Sequence, residues 1–348
     1  MHTTTTIKDV AAAAGVAESS VSRILSSAHG YSYSDETRVR VREAALRLGY
    51  RANAAARLLK QQKKNLIGVA VQLTVHPYLN QLVIAVRDEV LKRGYEPILV
   101  EPTQLLSSAT RTPFPSPEML AGVLSLDLSI GQTGSEQFQG LRRELPLVAL
   151  YPVDSDEIDW VYTDGALAIE MVVNHLVELG HRHIAFAEAP ESSYHSDHLK
   201  IEGWHKAIRK HDLNPKLARL IEVGFARSIE ERVGRIEMQL LSMQPRPTAL
   251  ICTGDESALC VMGRLQARGW NIPRDFSIVG YDGIAFGGYS YPALTTVVQP
   301  FGKIAQVGVQ RLLDLVEQRH EEAVPRRQRI EPELLVRGST GKMRIFDG

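Results

Sequence analysis

Glu18, Ser19, Ser20, Ser22 and Arg23 fall within one short stretch, ESSVSRIL, where Val21, Ile24 and Leu25 recur at helical spacing. Such a stretch forms a helix with an apolar inner edge and a hydrogen-bonding outer face. A first short helix and a turn precede it. Thr6 can cap that helix, and Asp9 stands three residues on, where an acid can return to the cap backbone. Val10, Ala11 and Ala14 supply its apolar positions. Gly15 is the natural stop, because it reaches positive φ without steric cost. Two small-faced helices around a glycine turn describe a helix-turn-helix, whose second helix can enter a DNA major groove. An ordinary helical hairpin is the competing reading.

Charge bears on that choice. Met1 to Lys64 carries eleven Lys and Arg against five Asp and Glu, about +6, in a chain whose formal net charge is zero. The remainder therefore carries about −6. A basic head on an acidic body is the pattern of a nucleic-acid-binding module joined to something else. Templates for catalysis are absent: no GxGxxG, Walker A, GxSxG or HExxH string occurs. Cys252 and Cys260 are the only cysteines. They exclude a disulfide scaffold and argue against a cysteine zinc site, and both are expected as buried, small apolar side chains. His181 and His183 lie at a helix-to-strand turn, and His195 and His198 flank Asp197 in an expected loop. No metal or other cofactor is expected at either place.

Further along the head, Ser26 to Ser32 reads as a small-residue loop. Ser34 caps a third helix with Asp35 and Glu36 in its first turn, and Gly49 ends it. Three helices of this size share one minimal core. Asn53 to Lys60 then forms a helix of about two turns, too short to persist alone in water, followed by a polar, basic linker. The N-terminus, MHTTTTIKD, lacks the apolar core of a signal peptide, and no apolar run approaches the roughly 20 residues that span a bilayer. A cytoplasmic protein without a membrane partner is expected.

From Leu66 the pattern alternates strands and helices. Strands are predicted at Leu66–Gln72, Tyr95–Glu101, Gly122–Leu126, Leu145–Leu150, His183–Ala187, Leu220–Val223, Ala249–Cys252, Phe276–Tyr281 and Leu334–Val336. Helices are predicted at Leu79–Gly94, Ala166–Gly180, Gly203–His211, Glu230–Met243, Ser257–Gly269 and Val307–Arg319. Repeated βα units of this kind give an α/β body with parallel sheets, in two lobes. Ligands in such folds bind beyond the carboxyl ends of the strands. Pro113, Pro115 and Pro117 forbid a long helix across Gln104–Pro117.

Particular strings resemble one family. TTIKDVAAAAGV, SVSRIL, ETRVRVREAALRLGYRAN and AAARLLK in the first 60 residues resemble the LacI/GalR transcription factors. HLVELGHRHIAF, PRPTALICTGDESAL, IPRDFSIVGYDGI and PALTTVVQP extend the likeness in order along the body. The resemblance implies a helix-turn-helix head over residues 1–52, a hinge helix and linker over 53–64, an effector-binding and dimerisation body over 65–340, and a tail over 341–348. That body resembles periplasmic sugar-binding proteins. Its first lobe would comprise about 65–162 and 297–325, and its second about 163–296 and 326–340.

Site residues follow from the same likeness. Glu18, Ser19 and Arg23 correspond to the side chains that face base edges, with Thr6, Ser20 and Ser22 beside them on DNA. Arginine can hold guanine O6 and N7 together, glutamate can accept from cytosine N4, and serine is permissive. Glu18 can equally be a solvated acid at a helix N-terminus. Asn53, Ala56 and Arg57 would lie along the minor groove, with Leu59 wedged into a base step; packing of Leu58 and Leu59 against the body is the alternative. Tyr78, Trp160, Lys200, Phe225, Asp255 and Asp282 correspond to the effector site, each with a structural role as its competitor. Several positions depart from the family pattern. Ala17 replaces a Ser or Thr, Ala52 a proline, Lys200 an arginine, Gly254 an asparagine and Gly283 an aspartate.

The expectation is therefore a homodimeric regulator, most simply a repressor, that binds near-palindromic double-stranded operator DNA and answers to a small-molecule effector, a sugar before a nucleobase-like co-repressor. No leucine heptad follows the last strand, which predicts a dimer rather than a tail-linked tetramer. A small-molecule enzyme with a basic accessory head is the alternative from another class.

Overall fold

The computed structural model describes residues 5–25, 33–50, 65–71, 77–102, 116–126, 145–153, 158–188, 195–224, 226, 228–317 and 327–343. Two units are distinct, Met1–Lys64 and Asn65–Gly348.

In the first unit, α1 (Ile7–Ala14) stops at Gly15, whose φ of 65° is the left-handed conformation a helix end requires. The Asp9 carboxylate accepts hydrogen bonds from the Thr6 N–H and hydroxyl, both at 2.8 Å. α2 (Glu18–Leu25) follows the turn, and α3 (Asp35–Arg47) starts at Ser34, whose hydroxyl accepts from the Thr37 N–H at 3.3 Å. Val10, Ala14, Val21, Ile24, Val41 and Ala44 form a shared core of small side chains, so three short helices can pack closely. Arg40 Nε donates to the Ala14 carbonyl at 2.9 Å, satisfying an acceptor at the end of α1. The hinge segment 53–64 lies outside the described residues.

The second unit contains two sheets. The first runs β2 (Glu96–Val100), β1 (Leu66–Ala70), β3 (Leu120–Ser125), β4 (Leu147–Ala149), β5 (Asp159–Thr163) and β11 (Arg327–Ile330), each neighbouring pair parallel. Against one face pack α4 (Pro77–Lys92), through Leu82, Val86 and Val90, and α9 (Phe301–Val316), through Ile304, Val309 and Leu312. The second sheet runs β7 (Arg219–Glu222), β6 (Ile184–Glu188), β8 (Ala249–Cys252), β9 (Ser277–Asp282), β10 (Thr295–Val298) and β12 (Glu333–Leu335), parallel except for β12. Ala249 and Ile251 of β8 face α5 (Gly165–Glu178) and α6 (His195–Lys210), while Leu250 and Cys252 face α7 (Ile229–Ser242) and α8 (Asp255–Ala267). That alternation is what a strand covered on both faces must show.

Four expectations are corrected. Arg327–Ile330, placed by sequence in the second lobe, pairs with β5 of the first sheet. Its basic, alternating RQRI pattern is that of an edge strand and lacks the apolar run that marks central ones. α9 begins at Phe301, six residues before the expected start, because Pro300 occupies the cap, where a missing N–H costs nothing. His195, Asp197 and His198 lie in α6, not in a loop. Cys252 is buried as expected, but Cys260 is exposed.

Close approach of α5 and α6 depends on one residue. A Cβ on Gly203 would stand 2.2 Å from the Ala166 carbonyl oxygen and 2.6 Å from its Cα. Backbone cannot yield as a flexible side chain does. Gly203→Ala is expected to lower the unfolding free energy of the body by about 1–3 kcal/mol or more, measured by denaturant titration. An unchanged midpoint would show that the two helices can separate without loss.

Candidate nucleic-acid interface and ligand site

On the head, burial sorts the polar residues of α2. Glu18, Ser19 and Ser22 are exposed, while Ser20 and Arg23 are half-buried. Val21 and Ile24 are turned into the core. The expected base-facing residues Glu18 and Ser19 thus start an outward helix face, with Arg23 farther along it. Thr6 is exposed at the start of α1, with its hydroxyl held by Asp9. Asn53, Ala56, Arg57 and Leu59 are outside the described residues.

In the body, the carboxyl ends of β5, β9 and β10 converge. Gln299, directly after β10, is 3% exposed. Its Oε1 accepts from the Thr163 hydroxyl at 2.7 Å, and its Nε2 donates to Asp282 Oδ1 at 2.8 Å. Thr163 ends a strand of the first sheet and Asp282 one of the second. Asp282 has φ of 112°, a strained conformation for a residue with a side chain, and such strain concentrates at functional positions. Burial, then the neighbouring Asp255 charge, pushes the Asp282 carboxyl well above the ordinary range, while the Gln299 bond and Lys200 act the other way. Lys200 is buried on α6, with its Nζ 5.0 Å from the Tyr281 ring centroid. Tyr162 joins the group: burial raises its phenol, and Tyr281, Lys200 and Asp282 all act on it electrostatically. A buried cation, two phenols, an acid and an amide can recognise a small polar molecule through several hydrogen bonds at once.

Other expected site residues fall elsewhere. Asp255 is wholly buried; Oδ1 accepts from the Thr296 hydroxyl at 2.6 Å and Oδ2 from the Ile284 N–H at 2.8 Å. It braces β10 and the loop after β9, so its structural role prevails over an open ligand contact. Trp160 is buried among Leu120, Val123, Leu147 and Ile158 on one face of the first sheet. Its Nε1 has no hydrogen-bond partner among the described residues. Tyr78 lies in the first turn of α4, half-buried against the core, and Phe225 is outside the described residues. Sequence reasoning missed Tyr162, Thr163, Tyr281 and Gln299. Tyr281 and Gln299 sit inside the quoted strings GYDGI and TTVVQP, so their adjacency to strand ends was available as a signal.

A three-helix head with an outward polar helix, joined to a two-lobed body with a polar group at its strand ends, defines a class: a DNA-binding regulator carrying a ligand-binding domain. Residues 6–53 match the LacI family of bacterial regulatory proteins, and residues 173–340 match the periplasmic binding protein-like domain. It is similar to the HTH-type transcriptional repressor PurR of Mannheimia succiniciproducens, at 29% identity over 97% of this chain and 99% of that one. PurR of Aliivibrio salmonicida is 27% identical over 97% and 99%. Among solved structures, the lac repressor dimer bound to operator and the anti-inducer ONPF matches with a TM-score of 0.73 and 27% identity, over 97% of this chain and 100% of that one. A LacI family regulator from Enterococcus faecium with bound ribose matches with 0.68 and 25%, over 80% and 100%. These likenesses are all to transcriptional regulators.

Asp255 gives the body a pH signature. Burial raises its carboxyl to about 6 against hydrogen bonds from Thr296 and Ile284 that lower it. Its folded value lies above its unfolded one, so the native state holds the proton more tightly. Its stabilising contribution is complete below about pH 4 and is lost as pH rises through about 6. Asp255→Asn cannot ionise. Relative to wild type, this variant is expected to gain stability between pH 4 and 6, with a limiting slope of about 1.4 kcal/mol per pH unit. Parallel pH profiles in urea unfolding would refute the assignment.

Proposed function

We propose that the chain is a homodimeric repressor whose two heads read the halves of a near-palindromic operator through α2, under control of a small polar effector at Lys200, Tyr281 and Asp282. The observation that carries the effector reading is the bridge Thr163–Gln299–Asp282, which joins the strand ends of both sheets at the polar group. A molecule bonded to Asp282 acts where the chain passes between lobes, so its preference for one lobe arrangement shifts the population. Similarity to the operator-bound lac repressor dimer supports the dimer and the DNA target. Apolar surface on the body, where Phe286, Tyr289 and Tyr291 are 71%, 88% and 92% exposed, supports the dimer alone.

Sugar is the effector class favoured by the ribose-bound neighbour. A nucleobase-like co-repressor is the second reading, favoured by relatives named PurR along nearly the whole chain. Lys200 in place of an arginine removes a bidentate fork, which suits a neutral ligand better than a carboxylate.

Selection of duplexes by the full chain is expected to enrich a near-palindrome, and titration of that complex with ribose, ONPG and nucleobases to identify an effector. Failure to enrich any sequence at moderate salt would overturn the reading. Arg23→Ala is expected to cost about 1–3 kcal/mol and to relax preference at one base pair per half-site. Leu59→Ala is expected to abolish a central bend, read by circular-permutation mobility, while the body's ligand affinity stays within about twofold; additivity of distant sites underlies the second half. An equal bend in this variant would remove Leu59 as the wedge.

A further inference from the structure

The second sheet carries a cavity of about 390 Å³, lined by Arg246, Pro247, Thr248, Gly269, Trp270 and Asp275. Small-molecule sites occupy about 300–1,000 Å³, so this volume suits a compact ligand. Arg246–Thr248 lead into β8 and Gly269–Asp275 lead towards β9, so the cavity lies at the amino ends of two neighbouring parallel strands. Asp282 closes β9 at its other end, about 17 Å along the strand from Ser277 at the usual rise per residue. The cavity is therefore separate from the proposed effector site.

One pair of side chains sets its chemistry. The Trp270 ring stands edge-on to the buried Phe276, with centroids 5.3 Å apart and 77° between the planes, which holds the indole from within. The Arg246 guanidinium lies over the same indole, its Cζ 4.9 Å from the ring centroid. That contact restrains the guanidinium without filling its N–H donors. Among the described residues Arg246 has no hydrogen-bonded or ion-paired partner. The acid of the lining does not take that role. Asp275 Oδ1 accepts from Arg274 Nε at 2.8 Å, and Oδ2 accepts from the Asn271 N–H at 2.8 Å and from Arg274 Nη2 at 3.1 Å. Arg274 thus offsets the one carboxylate, and Arg246 is left as a restrained cation with its donors open.

A planar guanidinium matches a carboxylate through two parallel N–H···O bonds, and an arginine already held on a ring loses less freedom in making them. Indole and proline offer an apolar wall to whatever the carboxylate is attached to. We infer that this cavity is a second ligand site, which takes a small organic carboxylate with a flat apolar body. Arg246 pairs with the carboxylate, and Trp270 and Pro247 pack against the body.

The chain has three tryptophans. Trp160 and Trp204 are buried, whereas Trp270 is half-buried. Full-length protein labelled with fluorotryptophan therefore reports on the cavity, and Trp270→Phe identifies its resonance by removing it. Titration with benzoate or indoleacetate is expected to move the Trp270 resonance saturably and to leave those of Trp160 and Trp204 in place. Benzamide and indoleacetamide keep the ring and lose the charge. Arg246→Lys keeps the charge and loses the fork, at an exposed position where the fold does not depend on it. Each change is expected to weaken binding by about tenfold or more, the loss of one charge-assisted hydrogen bond. No saturable movement of the Trp270 resonance by either carboxylate at millimolar concentration would overturn the site. Equal binding of the amides, or undiminished binding of the carboxylates by Arg246→Lys, would overturn the pairing and the ligand class with it. Movement of the Trp160 or Trp204 resonances alone would place binding elsewhere and overturn the site as well.

Discussion

Gln299 is buried where three segments pass between the two sheets: Thr163 into α5, Gln299 into α9, and β11 into β12. A buried amide is costly unless its donor and acceptor are both used. Here Thr163 fills the acceptor and Asp282 receives the donor, one from each lobe. Beside this bridge, the Asp164 N–H donates to the Ile330 carbonyl at 2.8 Å and ties the third passage to the first. Any rotation of one lobe against the other must respect these bonds or break them. The polar group at the strand ends is thus built on the same atoms that tie the two sheets together where the chain crosses between them.

The family departures in this region have steric reasons. Gly283 has φ of 72°, and a Cβ there would meet Val298 Cα at 3.0 Å. An aspartate at that position would be strained in the left-handed conformation and would press on Val298. Gly280 leaves room for Asp255 to lie across β9, since a Cβ would stand 2.1 Å from its Oδ1. A Cβ on Gly254 would be 3.6 Å from Asp282 Oδ2, so a longer side chain there would enter the space before that carboxyl. One carboxylate braces the fold, the other is left strained and partly exposed, and glycines frame both. Two acids of like type acquire different roles from their surroundings.

The head works by another economy. Its core is Val, Ala and Ile, too small to hold long polar side chains in place by packing alone. Hydrogen bonds from the edges take over: Asp9 at the start of α1, Arg40 at its end, and Thr5 Oγ1 to the Leu48 carbonyl at 2.9 Å. Such bonds fix orientation more than they add stability, since each contributes about 1 kcal/mol net. Orientation is what a reading helix needs.

Sequence alone determined the elements whose signals are local. The glycine stop at Gly15, the Ser34 cap, the apolar runs of the central strands and the basic bias of the head all follow from dihedral preference, hydrogen-bond capacity or charge, which a residue carries wherever it stands. Family strings carried expectations, not determinations, to Glu18, Arg23, Lys200 and Asp282. Tertiary structure decided what depends on distant partners. Arg327–Ile330 joined the first sheet because β5 offered an edge, and Asp255 turned inward because Thr296 and Ile284 N–H met it there. Gln299 gained its position for the same reason. A side-chain hydrogen bond between residues 136 positions apart, as between Thr163 and Gln299, leaves no period or cap in the chain that makes it.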